Sequence, residues 1–345
     1  MELLQSIWFY LWGLLWAVFF MTEGFDFGIG MLYPFLGKDE KDKEIMLHVL
    51  GPTWNGNEVW LISAAGVTFA AFPAVYSVMF SSLYCPIMLI LFALILRGVS
   101  LEFQTHSRVE THSRASLHTI WDGCIFLGSF IPTISFGLIF GNIFKGLELD
   151  KNGLINISSI FNPYAIFTSF FFLVLFLNHG ALWLSFRTEG EINKKSAKAA
   201  NILWVIVFIG FILFLVSTKL LTPLYQNFIS KPLLHIVVII PFLSILLIKR
   251  FLNKEDFFKA WLCSSVAIIG FTFIGIIGLY PNMMPSVIDP SYTLTAFNSS
   301  SSLFTLKIMF GVVALFVPTV ISYQIWSYTL FKDKVTKKDL GEFGY

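Results

Sequence analysis

Apolar residues run along this chain in long stretches, and polar positions fall mostly in the short gaps between them. Nine such stretches cover about residues 4–36, 46–72, 76–103, 118–142, 162–187, 201–223, 233–249, 258–280 and 303–331. Most exceed the roughly 20 residues an α-helix needs to cross a hydrocarbon core about 30 Å thick. The gaps carry turn formers or charge, such as Gly37-Lys38-Asp39 and Tyr280-Pro281-Asn282. The pattern predicts an all-α integral membrane protein with nine transmembrane helices in one polytopic domain, residues 1–331. A short charged tail, 332–345, follows. Ser299–Ser302, at the end of a long Pro-, Asn- and Ser-rich connection, is placed to cap the last helix.

Composition supports this class. The chain is 56% hydrophobic and only 13% charged, where a soluble domain carries about 25% charge. The N-terminus lacks a basic segment, since Glu2 is its only early charge, so the first stretch reads as a retained span. Basic residues then orient the stack. With the N-terminus outside, the inner side takes the groups at Lys38–Lys43, Arg97–Arg114, Arg187–Lys198, Lys249–Lys259 and Lys332–Lys338. The outer side keeps only Lys145, Lys151, Lys219, Lys231 and Lys307 of the 23 Lys and Arg residues. That asymmetry predicts an N-out, C-in protein with an odd number of spans.

Two acid-bearing turns interrupt the first two stretches: Thr22-Glu23-Gly24-Phe25-Asp26 and Asn55-Gly56-Asn57-Glu58. An ionisable group at membrane depth costs roughly 2.5–3.5 kcal/mol or more, so it marks an ion or proton path, or a polar seam. Glu23 and Asp26 share a helix face, as do Asn55 and Glu58. Asp26 lies ten residues before Leu36 and Asn55 nine after Met46. At 1.5 Å per residue both pairs sit roughly 15–20 Å above the connecting turn. The expectation is Asp26 opposite Asn55 and Glu23 opposite Glu58. Arg97 and Glu102 near the end of the third stretch, and Asp122 near the start of the fourth, are further charges. Arg97 and Asp122 are candidate charge partners for the cluster. Interhelical glue is the competing reading, although polar contacts between membrane helices contribute only about 0.6 kcal/mol on average.

Other chemistry is sparse. Of six histidines only His179 lies deep in a stretch, and an isolated His fits a hydrogen-bonded core position better than a haem or metal ligand. Cys85, Cys124 and Cys263 form no paired spacing and read as small buried hydrophobes. Trp54 and Trp60 flank the second polar turn and read as packing residues. No phosphate-binding glycine loop, zinc spacing or Ser/His/Asp grouping is visible. A net charge of +2 does not suggest nucleic acid.

The run Glu23-Gly24-Phe25-Asp26-Phe27-Gly28-Ile29-Gly30-Met31-Leu32 resembles the first-span signature of subunit II of the cytochrome bd quinol oxidases. Pro52-Thr53-Trp54-Asn55-Gly56-Asn57-Glu58-Val59-Trp60-Leu61 resembles the second-span motif. Trp121-Asp122-Gly123 with Gly128-Ser129-Phe130-Ile131-Pro132 resembles the fourth, and Tyr280-Pro281-Asn282-Met283-Met284-Pro285-Ser286 the loop before the last span. The four motifs occur in order over essentially the whole chain.

The resemblance implies a subunit of a terminal oxidase that couples quinol oxidation to reduction of dioxygen to water. It implies two four-helix bundles plus one helix, in a bacterial cytoplasmic (inner) membrane. Haem b, haem d and the quinol site would belong to subunit I, the partner, with no cofactor held firmly by this chain. A small single-span third subunit is compatible with it, and the surroundings would be membrane lipid and quinone. Carried over by position, the proton-path residues are Glu23, Asp26, Asn55, Glu58 and Glu102, with Trp60 near a tunnel for dioxygen. The family commonly has Asp in the slot of Asn55 and at the position of Glu23. A proton-coupled secondary transporter would use the same buried acids and is the rival; it would be expected to show inverted repeats and broken helices.

Overall fold

The computed structural model describes residues 1–107 and 115–336. Arg108, Arg114, Lys337 and Lys338 of the expected inner-side charge lie outside these residues. The helices, in chain order, are α1 (Glu2–Leu36), α2 (Glu40–Leu50), α3 (Trp54–Ala71), α4 (Pro73–Ser82), α5 (Tyr84–Ser107) and α6 (Ala115–Lys145). They continue as α7 (Pro163–Arg187), α8 (Gly190–Leu221), α9 (Tyr225–Ser230), α10 (Ile236–Leu252), α11 (Phe257–Leu279) and α12 (Leu303–Leu330). A two-stranded antiparallel ribbon, β1 (Asn282–Met284) with β2 (Leu294–Thr295), lies in the connection before α12. Among the described residues, eight helices are long and apolar enough to span a membrane, and α3 with α4 makes a ninth if the pair is counted as one bent span.

Local chemistry explains the ends. Asn162 caps α7 by accepting from Ala165 N at 3.1 Å, with Pro163 at the first helical position, where a missing N–H costs nothing. Asp256 caps α11 and pairs with Lys259 at 2.7 Å; these donors hold its carboxyl below the usual range. Ser302 caps α12 through Thr305 N at 3.2 Å, as the serine run predicts.

The second and third stretches differ from expectation. Residues 46–72 do not form one rod: α2 ends at Leu50, turns occupy 51–53, and α3 starts afresh at Trp54. Pro52, with no N–H to donate, lies in this break. A second break follows at Phe72, which leaves the helical region before Pro73, and α3 and α4 diverge by 119°.

Helices α7, α8, α10 and α11 close a ring in which each touches the next. A second group holds α1, α3 with α4, α5 and α6. Helix α1 also packs on α7 and α11 and so joins the two groups. At the α1–α7 crossing the backbones touch: a methyl on Gly28 would overlap the Phe176 carbonyl, and one on Gly180 would press on Gly28 and Ile29. Small residues permit such approach between membrane helices. Helix α12 rests on α1 and α3, and most of its large apolar side chains are exposed. Cys85, expected to be buried, is exposed, while Cys124 and Cys263 are partly buried. Exposed apolar side chains are the natural outer face of a helix in lipid.

Candidate functional site

Helix α1 carries its two acids into the middle of the protein. Glu23 and Asp26 are wholly buried, three residues apart and on one face. Helix α5 brings Arg97, also wholly buried, against Glu23, and the guanidinium donates to Glu23 Oε1. The same Nη1 reaches Glu58 Oε1 of α3 at 3.3 Å. Glu23 and Glu58 thus meet at one cation, and the Arg97 guanidinium also stacks 4.9 Å from the Phe27 ring centroid. Gly128 of α6 makes room, since a methyl there would press on the Arg97 main chain and Cβ.

Asp26 has a different partner from the one expected. Asn57 Nδ2 donates to Asp26 Oδ2 at 2.6 Å and to the Thr22 carbonyl at 3.3 Å. Asn55, placed opposite Asp26 by depth, is exposed on the chain. The depth count treated 46–72 as one continuous helix, and the break at 51–53 resets the rotation. Asn57 is therefore the inward residue of that turn. Tyr328 of α12 donates from its hydroxyl to Asn57 Oδ1 at 2.7 Å. Gln324, one turn earlier, donates to the Gly56 carbonyl and accepts from Trp60 Nε1, both at 2.8 Å.

The remaining candidates sit around this centre. Glu102 lies five residues beyond Arg97 on α5 and is exposed. Asp122 is not a partner of the three acids. It is an ion-pair partner of Lys43 from α2, and it accepts from Gln104 Nε2 at 2.6 Å. Trp60 is buried and lines two apolar cavities of about 690 and 390 Å³. The larger lies between α1, α3, α7, α11 and α12, with Tyr328 and Gln324 on its wall.

Two carboxyls, Glu23 and Glu58, meet one guanidinium, with Asp26 beside Glu23 on the same face of α1 and bonded to Asn57, and Glu58 keeps 24% of its side chain exposed. Among the described residues, Glu23 Oε2 and Asp26 Oδ1 accept from no protein donor. A carboxylate with a free lone pair can take up and release a proton. The arrangement is suited to proton handling, and nothing in it resembles a nucleophile with its base. Asn57, Gln324 and Tyr328 were not singled out from sequence. The signal available was Gln324 and Tyr328 four residues apart, on one face of the last stretch.

The family model for cytochrome bd terminal oxidase subunit II matches residues 4–331. The chain belongs to that family. Its curated relatives include cytochrome bd ubiquinol oxidase subunit 2 of Bacillus subtilis, 33% identical over 98% of this chain and 99% of the relative. Cytochrome bd-I ubiquinol oxidase subunit 2 of Escherichia coli is 29% identical over 98% of this chain and 97% of the relative. The fold is similar to a chain of the bd oxidase from Geobacillus thermodenitrificans, with TM-score 0.77 and 14% identity over 96% of this chain and 99% of that one. The protein is therefore a terminal oxidase subunit with an all-α membrane fold.

Membership implies haem in the complex. His179 does not fit as an axial ligand. Its Nδ1 engages Ser264 Oγ at 2.9 Å, its Nε2 the Met21 carbonyl at 3.0 Å, and its ring stacks on Trp261. Among the described residues, no group of three or more His, Cys, Asp or Glu is placed to hold a metal ion.

Proposed function

We propose that this chain is the accessory subunit of a quinol:dioxygen oxidoreductase and carries protons inward from the cytoplasmic face toward its partner. The partner is a haem-bearing subunit I holding haem b and haem d, in a bacterial cytoplasmic membrane. The orientation is N-out and C-in, and proton uptake from the inside makes turnover electrogenic. The observation that carries the reading is the cluster itself: Glu23, Asp26 and Glu58 around Arg97, two acids wholly buried and the third reaching the surface. When all are ionised, negative charge exceeds positive in a buried site, and taking up a proton relieves that excess.

Glu102, exposed about 7.5 Å along α5 from Arg97, is the proposed inlet, with Glu58 next and Glu23 and Asp26 innermost. Asn55 lies on the exposed rim of α3 and serves as a hydrogen-bonding group there. Trp60, between two apolar cavities, marks a route for dioxygen, which partitions into hydrocarbon-lined space. A second reading has the cluster as a structural seam, favoured by the direct Arg97–Glu23 pair.

The test is steady-state oxygen consumption by the purified complex. Glu58→Gln and Asp26→Asn should each slow turnover at least severalfold while haem content stays at the unmodified level. Normal turnover in both variants would leave only the seam.

A further inference from the structure

We propose that Tyr328 is a positioning residue for Asp26, acting from the last helix through Asn57. The inference rests on the reading of Asp26 as part of the proton path. The geometry is a directed chain. The Tyr328 hydroxyl donates to Asn57 Oδ1 at 2.7 Å, and Asn57 Nδ2 donates to Asp26 Oδ2 at 2.6 Å. An amide can turn either end toward a neighbour, and a tyrosine hydroxyl can donate or accept. With Tyr328 donating, the amide oxygen is taken, and the NH2 faces the carboxylate. With the amide reversed, its oxygen faces Asp26, an arrangement that suits only a protonated acid. In the observed arrangement Tyr328 donates, which holds Asn57 in the orientation that favours ionised Asp26. A phenyl ring in its place removes the hydrogen bond that selects the orientation.

The placement of α12 gives this chain its consequence. Most of the helix is exposed, and its polar contact with α3 is made by one face, where Gln324 and Tyr328 stand four residues apart. Gln324 ties that face to the Gly56 carbonyl and to Trp60, so Tyr328 is held in register with Asn57. The body of the protein supplies the acid, and the peripheral helix supplies the group that orients its partner. Tyr328 also lines the aromatic cavity of about 690 Å³, with Trp60, Trp183 and Trp261, so the chain joins that wall to Asp26.

The experiment uses the complex purified with its haem-bearing partner and carrying Tyr328→Phe, Asp26→Asn or both. Tyr323→Phe, an exposed tyrosine on the same helix, is the control. Oxygen consumption is measured against quinol concentration and across a pH series. The expected result for Y328F is normal haem content, an unchanged KM for quinol and a kcat lower by about three- to tenfold, the worth of one hydrogen bond. Its curve of turnover against pH should also be displaced, because Asn57 no longer favours one state of Asp26. In the D26N background Y328F should add nothing, since the group it serves is gone; Y323F should match the unmodified complex. Should Y328F fail to assemble, Asn57→Leu carries the same measurements. Normal turnover and pH curve in Y328F beside a slow D26N overturn this inference alone. Full additivity of the two substitutions also overturns it, because Tyr328 would then act elsewhere. Normal turnover in D26N removes Asp26 from the proton path, and this inference with it.

Discussion

Arg97 of α5 donates to Glu23 of α1 with both side chains wholly out of solvent. The pair ties two helices that are not neighbours in sequence, and Glu58 of α3 brings in a third. Removing one partner of a buried ion pair costs about 3–5 kcal/mol, because the other charge is left uncompensated. Arg97→Leu should therefore lower the yield of assembled complex sharply, and Arg97→Lys should restore only part of it, since Lys cannot offer the same forked donors. Combining Arg97→Leu with Glu23→Leu should recover yield relative to Arg97→Leu alone. Gel filtration and thermal unfolding of the purified complex measure this; equal yields for the single and double variants would refute the pairing.

Gly28 and Gly180 bring α1 and α7 into backbone contact. Gly180→Ala places a methyl where main-chain atoms of the facing helix already lie. The expected loss is about 1–3 kcal/mol of stability, the usual cost of overpacking. Gly123→Ala, on α6 with open space around its added methyl, should be close to neutral. Comparing melting temperatures of the two variants tests the crossing, and a Gly180→Ala complex as stable as the unmodified one would contradict it.

His179 ties α7 to α11 through Ser264 and to α1 through the Met21 carbonyl. His179→Phe keeps an aromatic ring beside Trp261 and removes both hydrogen bonds. Stability should fall by about 1–3 kcal/mol, while haem absorbance per assembled complex stays unchanged. Loss of one haem signal from an intact complex would show that this histidine is a ligand after all.

The proposed orientation is open to a direct labelling experiment. In a background free of Cys85, Cys124 and Cys263, Lys151→Cys and Lys194→Cys each place one thiol on an exposed loop or helix end. A membrane-impermeant maleimide added to intact cells should modify the thiol at 151 and spare that at 194 until the membrane is opened. The reverse pattern would invert the topology and move the proton inlet to the other face.

Several features of the site could be read from the residues alone. Acids three apart in an apolar run had to share a face, and an arginine in a third apolar run needed an anion; Arg97 meets two. The pairing of Asp26 with Asn57 could not be read this way. Helical phase carries along an unbroken rod, but three residues around Pro52 end one helix and start another, and a shift of two residues turns a side chain by about 200°. Asp122 shows a related limit: its cation, Lys43, stands on a short helix, Glu40–Leu50, over residues that the hydropathy pattern left largely in the connecting turn.

Residue order by itself determined the all-α membrane class, the apolar stretches and the few acids kept among them, because transfer of a side chain into hydrocarbon is a local quantity. Only the folded arrangement decided which acid meets which donor, that α3 and α4 diverge at Pro73, and that a tyrosine from the last helix reaches the first acid turn through an asparagine. Those relations depend on rotation and contact between elements distant in sequence, and no local free energy encodes them.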